Sequence, residues 1–148
     1  MAYMLVAMGF TLSYAITYIG LAKKLSVAII GSGASPWTVM IMVFILWLIL
    51  GCLMDPGSMV ILTMPFLGTT LFDLGFNPIW IGVVATLMTE VGMITPPVGL
   101  NLFVLKATSD VPIGLIVRGA LPYLGVMVIG LVILCIFPEI ALFLPNRM

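Results

Sequence analysis

Two short clusters in this 148-residue chain have the residue types to bind an ion or a polar solute: Asp55-Pro56-Gly57-Ser58, and Thr95-Pro96-Pro97 with Gly92 before it and Asn101 after it. Ser58, Thr95 and Asn101 offer neutral oxygens beside helix breaks. Hard cations such as sodium take oxygen ligands, including backbone carbonyls exposed where a helix unwinds. Asp55 adds a carboxylate. It reads either as a cap on the helix that starts around Gly57 to Met59 or as a direct contact to ion or solute, and the two roles are compatible. The hydroxyls and the amide have a plainer reading too, that of healing a broken backbone. Glu90 is a further acid in an apolar run. It reads as a coupling-ion or proton group, as a contact to a neighbouring subunit, or as a partner of Lys106 or Arg118.

The second cluster cannot lie inside a continuous helix. Pro96 and Pro97 remove two backbone donors, and their rings clash with the preceding turn. Thr95 and Pro96, each ahead of a proline, are pushed towards extended conformations. Gly92 and Gly99 loosen the chain on either side. Lipid cannot satisfy the backbone groups set free by such a break, so it must be buried in protein or line a wet cavity. Broken helices that aim carbonyls and helix ends at an ion are a transporter layout.

Composition puts these clusters in a bilayer. The chain is 64% hydrophobic and 7% charged, with a mean hydropathy of +1.38, against about a quarter charged residues in soluble domains. The formal net charge is zero, which suggests no nucleic-acid partner. There is no histidine, and Cys52 and Cys135 lie in apolar runs without metal-ligand spacing, as small hydrophobes do. No nucleophile-base set and no phosphate-binding glycine loop is present, so the expected class is not an enzyme. No basic residue precedes the first apolar run, so no signal-peptide pattern is read there.

Charges and turn residues then divide the chain as one all-α integral membrane domain over 1–148. Residues 1–24, closed by Lys23-Lys24, are expected to form one transmembrane helix. Residues 25–35 are too short to cross and suit an interfacial arm. Residues 36–73 read as a helical hairpin turning at Asp-Pro-Gly, with arms of about 17 and 14 residues, the second being Met59 to Phe72. Such arms fit either a re-entrant hairpin or two ordinary spans. Residues 78–107 form a broken helix, with its second half from Pro97 to about Ala107. Ser109 or Asp110 is placed to cap a last transmembrane helix over 112–137. Arg118 lies early enough in that helix to snorkel to the interface.

The run from Gly92 to Phe103, preceded by Gly51-Cys52-Leu53-Met54-Asp55-Pro56-Gly57-Ser58-Met59, resembles the large membrane subunit of tripartite ATP-independent periplasmic (TRAP) transporters, the DctM-like family. The order agrees as well: hairpin, Leu74-Gly75-Phe76-Asn77-Pro78 linker, Thr-Pro-Pro break, Arg118-Gly119-Ala120-Leu121-Pro122, then Phe137-Pro138-Glu139. The resemblance implies a sodium-coupled secondary transporter with an elevator mechanism, importing organic acids such as C4-dicarboxylates or sugar acids across the bacterial inner membrane. Its multi-pass subunit has no cofactor beyond the coupling sodium ion. It works with a small membrane permease subunit and a periplasmic solute-binding protein. Asp55, Pro56, Gly57 and Ser58 then match the tip of a re-entrant hairpin. Gly92, Thr95, Pro96, Pro97 and Asn101 match the facing discontinuous helix, with Ser58, Gly92 and Thr95 as sodium ligands. Family members are much longer, so the resemblance is to the C-terminal part of an elevator-type ion transporter fold. The missing N-terminal part of the large subunit becomes a partner, and a non-transporting membrane scaffold or degenerate remnant is the competing function. The family layout sets Lys106 and Arg118 in the cytoplasm, as the positive-inside rule expects, and Lys23-Lys24 towards the periplasm, against it.

Overall fold

The computed structural model describes residues 35–96 and 99–147, with scattered positions between Tyr3 and Gly33. The expected helix over 1–24 and arm over 25–35 lie largely outside the described residues, and Pro97 lies outside them altogether. Among the described residues every regular element is helical. Two of these helices, Pro36–Leu53 and Ile113–Ile136, are long and apolar enough to cross a membrane.

Helix α1 is Pro36–Leu53. Ser35 caps it by accepting from the Thr38 amide at 3.4 Å, and Pro36 takes the first helical position, where a missing N–H costs nothing. The chain is extended at Met54, and α2 (Pro56–Thr63) starts immediately after Asp55. Pro65 cannot donate to the carbonyl four residues back, and the helix widens into a π turn over Met64–Gly68 before α3 (Thr69–Asp73) resumes. The second arm is therefore helical from Pro56 to Asp73, not only from Met59 to Phe72. The cap and the proline at its first position start the helix at the turn itself.

The two arms are pinned to each other. The Trp47 indole donates to the Thr63 hydroxyl at 3.1 Å, and the Thr63 hydroxyl in turn donates to the Met59 carbonyl at 2.8 Å. Both side chains are fully buried, so neither polar group is left without a partner where water is absent.

Helix α3 ends in a Schellman closure: Phe76 N–H reaches the Leu71 carbonyl, Gly75 N–H reaches Phe72, and Gly75 takes a φ of +93°. Asn77 then caps α4 (Pro78–Ile94) through its side-chain oxygen, 2.9 Å from the Ile79 amide. The turn returns the chain to the start of α1, where Trp37 meets Phe76 at 5.5 Å and Trp80 at 6.3 Å between ring centroids. From this aromatic end α1 and α4 run parallel, burying Met40, Val43, Trp47, Ile81, Val84 and Met88 between the hairpin and α4.

Beyond the break lie α5 (Leu100–Thr108) and α6 (Ile113–Ile136), then α7 (Glu139–Leu142) and a 3-10 turn at Pro145–Arg147. The expected cap on α6 is not made. Ser109 donates instead to the Leu105 carbonyl at 2.7 Å, closing the end of α5, and Pro112 stands at the N-cap of α6 without a side-chain bond. Helix α6 runs back along α5 and α4. Its Leu134 carbonyl accepts from the Trp80 indole at 2.8 Å. The helical donor for that carbonyl would be residue 138, a proline without an N–H, and the tryptophan supplies what the proline lacks.

A candidate ion site where two helix breaks meet

The end of α1 and the end of α4 touch backbone to backbone. A Cβ on Gly92 would lie 2.7 Å from Gly51 Cα and 3.2 Å from the Cys52 amide nitrogen. A Cβ on Gly51 would lie 3.1 Å from Gly92 Cα. No side chain larger than hydrogen fits at Gly92 while this crossing holds. It sits just ahead of both breaks. The Cys52 thiol bridges them, donating to the Thr95 carbonyl with an S···O distance of 3.6 Å.

Local chemistry at the hairpin turn is closed. The Asp55 carboxylate accepts from the Ser58 amide at 2.9 Å with one oxygen and from the Ser58 hydroxyl at 2.6 Å with the other. Gly57 lies tight under it, with a hypothetical Cβ 3.3 Å from the carboxylate. Asp55 thus holds the capping role, with Pro56 in the first turn it caps.

At the second break the prolines dictate the bonding. Pro96 and Pro97 cannot serve the carbonyls of Gly92 and Met93. Thr95 compensates in part, its amide reaching the Gly92 carbonyl at 3.1 Å and its hydroxyl the Val91 carbonyl at 2.5 Å. Helix α5 does not begin at Pro97 as expected but at Leu100, because Gly99 is left-handed at φ +53° and stands outside the helix. No side chain caps α5. A Cβ on Gly99 would lie 3.1 Å from the Thr95 carbonyl and 2.9 Å from Leu102 Cδ1.

These distances define a polar setting with a sign. Two parallel helices end side by side, each carrying about half a negative charge at its C-terminus. Their last carbonyls lack helical donors. Ser58 and Thr95 have turned their protons inward, onto the Asp55 carboxylate and the Val91 carbonyl, which leaves oxygen lone pairs available.

The other residues singled out from the sequence lie apart from this point. Asn101 opens onto a groove of about 490 Å³ between α5 and α6, lined by Ile94, Leu105, Ile116 and Tyr123. Glu90 is exposed on the outer face of α4, and Lys106 and Arg118 are also exposed. Gly51 and Cys52 are the contributors that reading by residue type passed over. A glycine shortly before each break was the available signal, but nothing in the order of residues says that the two touch.

Known proteins share this chain's pattern. A family model described as tripartite ATP-independent periplasmic transporter, DctM component, matches residues 1–140. The C4-dicarboxylate TRAP transporter large permease protein DctM of Pseudomonas aeruginosa is 40% identical over 114 residues, covering 77% of this chain and 27% of the relative. The protein of the same name from Vibrio cholerae is 31% identical over 142 residues, covering 96% of this chain and 31% of the relative. The sialic acid TRAP transporter permease protein SiaT of Haemophilus influenzae is 32% identical over 125 residues, 84% of this chain and 20% of its own length. The chain thus spans about a third or less of the relatives it matches. Since the family pattern runs through nearly all of it, this chain belongs to the DctM component family of tripartite ATP-independent periplasmic transporters.

Proposed function

We propose that this chain supplies one ion-binding half of a TRAP transporter large permease, binding sodium at the Gly51–Gly92 crossing to drive import of an organic acid. The observation that carries the reading is the side-by-side ending of the parallel helices α1 and α4. Two helix C-termini side by side carry like partial charge, which a cation between them would offset. Ser58, Gly92 and Thr95 supply the oxygens, with the Asp55 carboxylate close by to balance the charge.

Depth supports the same reading. Trp37, Phe76 and Trp80 cluster at the loop end of the hairpin, and we set that end at a membrane interface, with the half-exposed Trp37 on its outside. Gly92 is twelve residues along α4 from Trp80, or about 18 Å at 1.5 Å per residue, just past the middle of a hydrocarbon core of about 30 Å. By the same measure Asp55, eighteen residues from Trp37 or about 27 Å, lies towards the far side of that core. We read residues 36–73 as a re-entrant hairpin and residues 78–107 as a discontinuous helix, the moving parts of an elevator.

Solute chemistry follows from the other helix ends. The uncapped N-terminus of α5 favours an anion, and Asn101 in its first turn adds an amide. Relatives carry names for C4-dicarboxylate, sialic acid and ectoine transport, and each of these solutes bears a carboxylate. The site is completed by the rest of the large subunit, with a small permease subunit and a periplasmic solute-binding protein as partners in the inner membrane.

The test is uptake by a chimera in which the segment of this chain that aligns with the Pseudomonas aeruginosa relative replaces its counterpart there, co-expressed with that relative's partners. Uptake of a radiolabelled C4-dicarboxylate should require sodium and fail when choline replaces it. Equal uptake in sodium and choline overturns the ion assignment.

A further inference from the structure

The outer face of α4 is unlike the outer faces of its neighbours. Ile79, Val83, Thr86 and Glu90 are all exposed and recur at spacings of four, three and four, so they form one stripe along the helix. Gly82 beside them has open space where a Cβ would stand, and Thr86 folds its hydroxyl back onto the Gly82 carbonyl at 2.9 Å. Glu90 ends the stripe ten residues from Trp80, about 15 Å from the aromatic cluster and so near mid-membrane. At the same depth the exposed residues of α1 are Ile45, Leu46 and Ile49, and those of α6 are Pro122, Tyr123, Gly125 and Val126, none of them charged. A carboxylate at mid-membrane is expensive against lipid and is normally paired.

We propose that this stripe is the seam on which a membrane helix from the rest of the large subunit docks, setting a basic side chain against Glu90. This rests on the reading of the chain as part of a TRAP large permease. Two observations choose the occupant. The charge calls for a cation rather than for lipid or for a second copy bearing its own Glu90. The relatives also hold more than two thirds of their length outside the segment they share with this chain. Gly82 and Thr86 keep the near part of the stripe low, so a helix can approach closely and reach Glu90.

Disulfide trapping in the same chimera tests the seam. Single cysteines replacing Val83 or Thr86 are paired with cysteines placed along each membrane helix of the relative outside the matched segment. The unsubstituted chimera sets the background from Cys52 and Cys135. One helix should trap with both positions, at sites three or four residues apart. Glu90→Leu should cut trapping at least five-fold, because it leaves a buried basic partner unpaired. Glu90→Lys should do the same and be rescued by an acid in place of that partner. Trapping only between two copies overturns the proposal, as does an exclusively lipid-facing Thr86→Cys whose folded yield rises with Glu90→Leu. Sodium-dependent uptake by the same membranes separates the two readings. Uptake without trapping removes the seam and keeps the transporter, whereas trapping without uptake does the reverse. Should the chimera not insert, the 148-residue chain co-expressed with the relative's remaining segment as a separate polypeptide gives the same readout.

Discussion

The two breaks follow one helix crossing, yet they are built in opposite ways. The hairpin turn is self-contained: Asp55 caps α2 with one carboxylate oxygen and accepts the Ser58 hydroxyl with the other, and the helix starts one residue later. The Thr-Pro-Pro break is left open: two prolines withhold donors, Gly99 is left-handed, and no side chain caps α5. A helix end satisfied by its own neighbours has little need of a ligand, whereas an end left open can be satisfied by one. The hairpin turn therefore supplies charge and shape, and the second break supplies carbonyls that its two prolines cannot serve.

The substitution with the largest expected effect attacks what joins the two regions. Gly92→Val forces the crossing apart and should destabilise the fold by about 3 kcal/mol, since the atoms it meets are backbone and cannot give way. Thermal unfolding in detergent would show it, and Gly51→Ala, with its nearest backbone atom at 3.1 Å, should cost less. Equal melting of Gly92→Val and wild type would mean that the helices do not pack through these glycines.

Replacing both Pro96 and Pro97 with alanine acts on the open break alone. Each proline costs about 3 kcal/mol inside a helix, so their removal favours a single helix of about 30 residues over 78–107. The double variant should insert normally and lose sodium-dependent binding, because the carbonyls it now exposes become paired. Wild-type binding in the chimera carrying this change would show that the break is not where the ion sits.

Asp55→Ala removes the cap at the closed turn and should cost about 1 kcal/mol of stability. Asp55→Asn sharpens the comparison, because asparagine caps as well as aspartate but carries no charge. If sodium affinity falls in Asn as far as in Ala, Asp55 acts through its charge. If Asn restores it, Asp55 acts through the cap.

The smallest effect is expected from Thr95→Val, which keeps the shape and removes one oxygen. It should weaken sodium affinity roughly threefold, about 0.6 kcal/mol, while the hairpin is untouched. An unchanged sodium requirement for uptake would leave Thr95 as a repair of the α4 end only.

What the order of residues determined by itself is everything that acts over a few residues. Asp55-Pro56 starts a helix at a turn, Pro96-Pro97 ends one, and Asn77 caps another, because capping and proline geometry depend only on near neighbours along the chain. The proline at 138 likewise dictates an orphan carbonyl at Leu134, but not that Trp80, 54 residues away, would be its partner. Where Gly99 would take a positive φ and Ser109 would turn back on α5 was also hidden, since glycine and serine each have several local options. Only the tertiary structure decided that α1 and α4 run parallel, that Gly51 and Gly92 touch, and that Cys52 reaches Thr95 across 43 residues. Those contacts are set by which apolar faces pack together, and in an almost uniformly apolar chain hydrophobic periodicity carries little information about that choice.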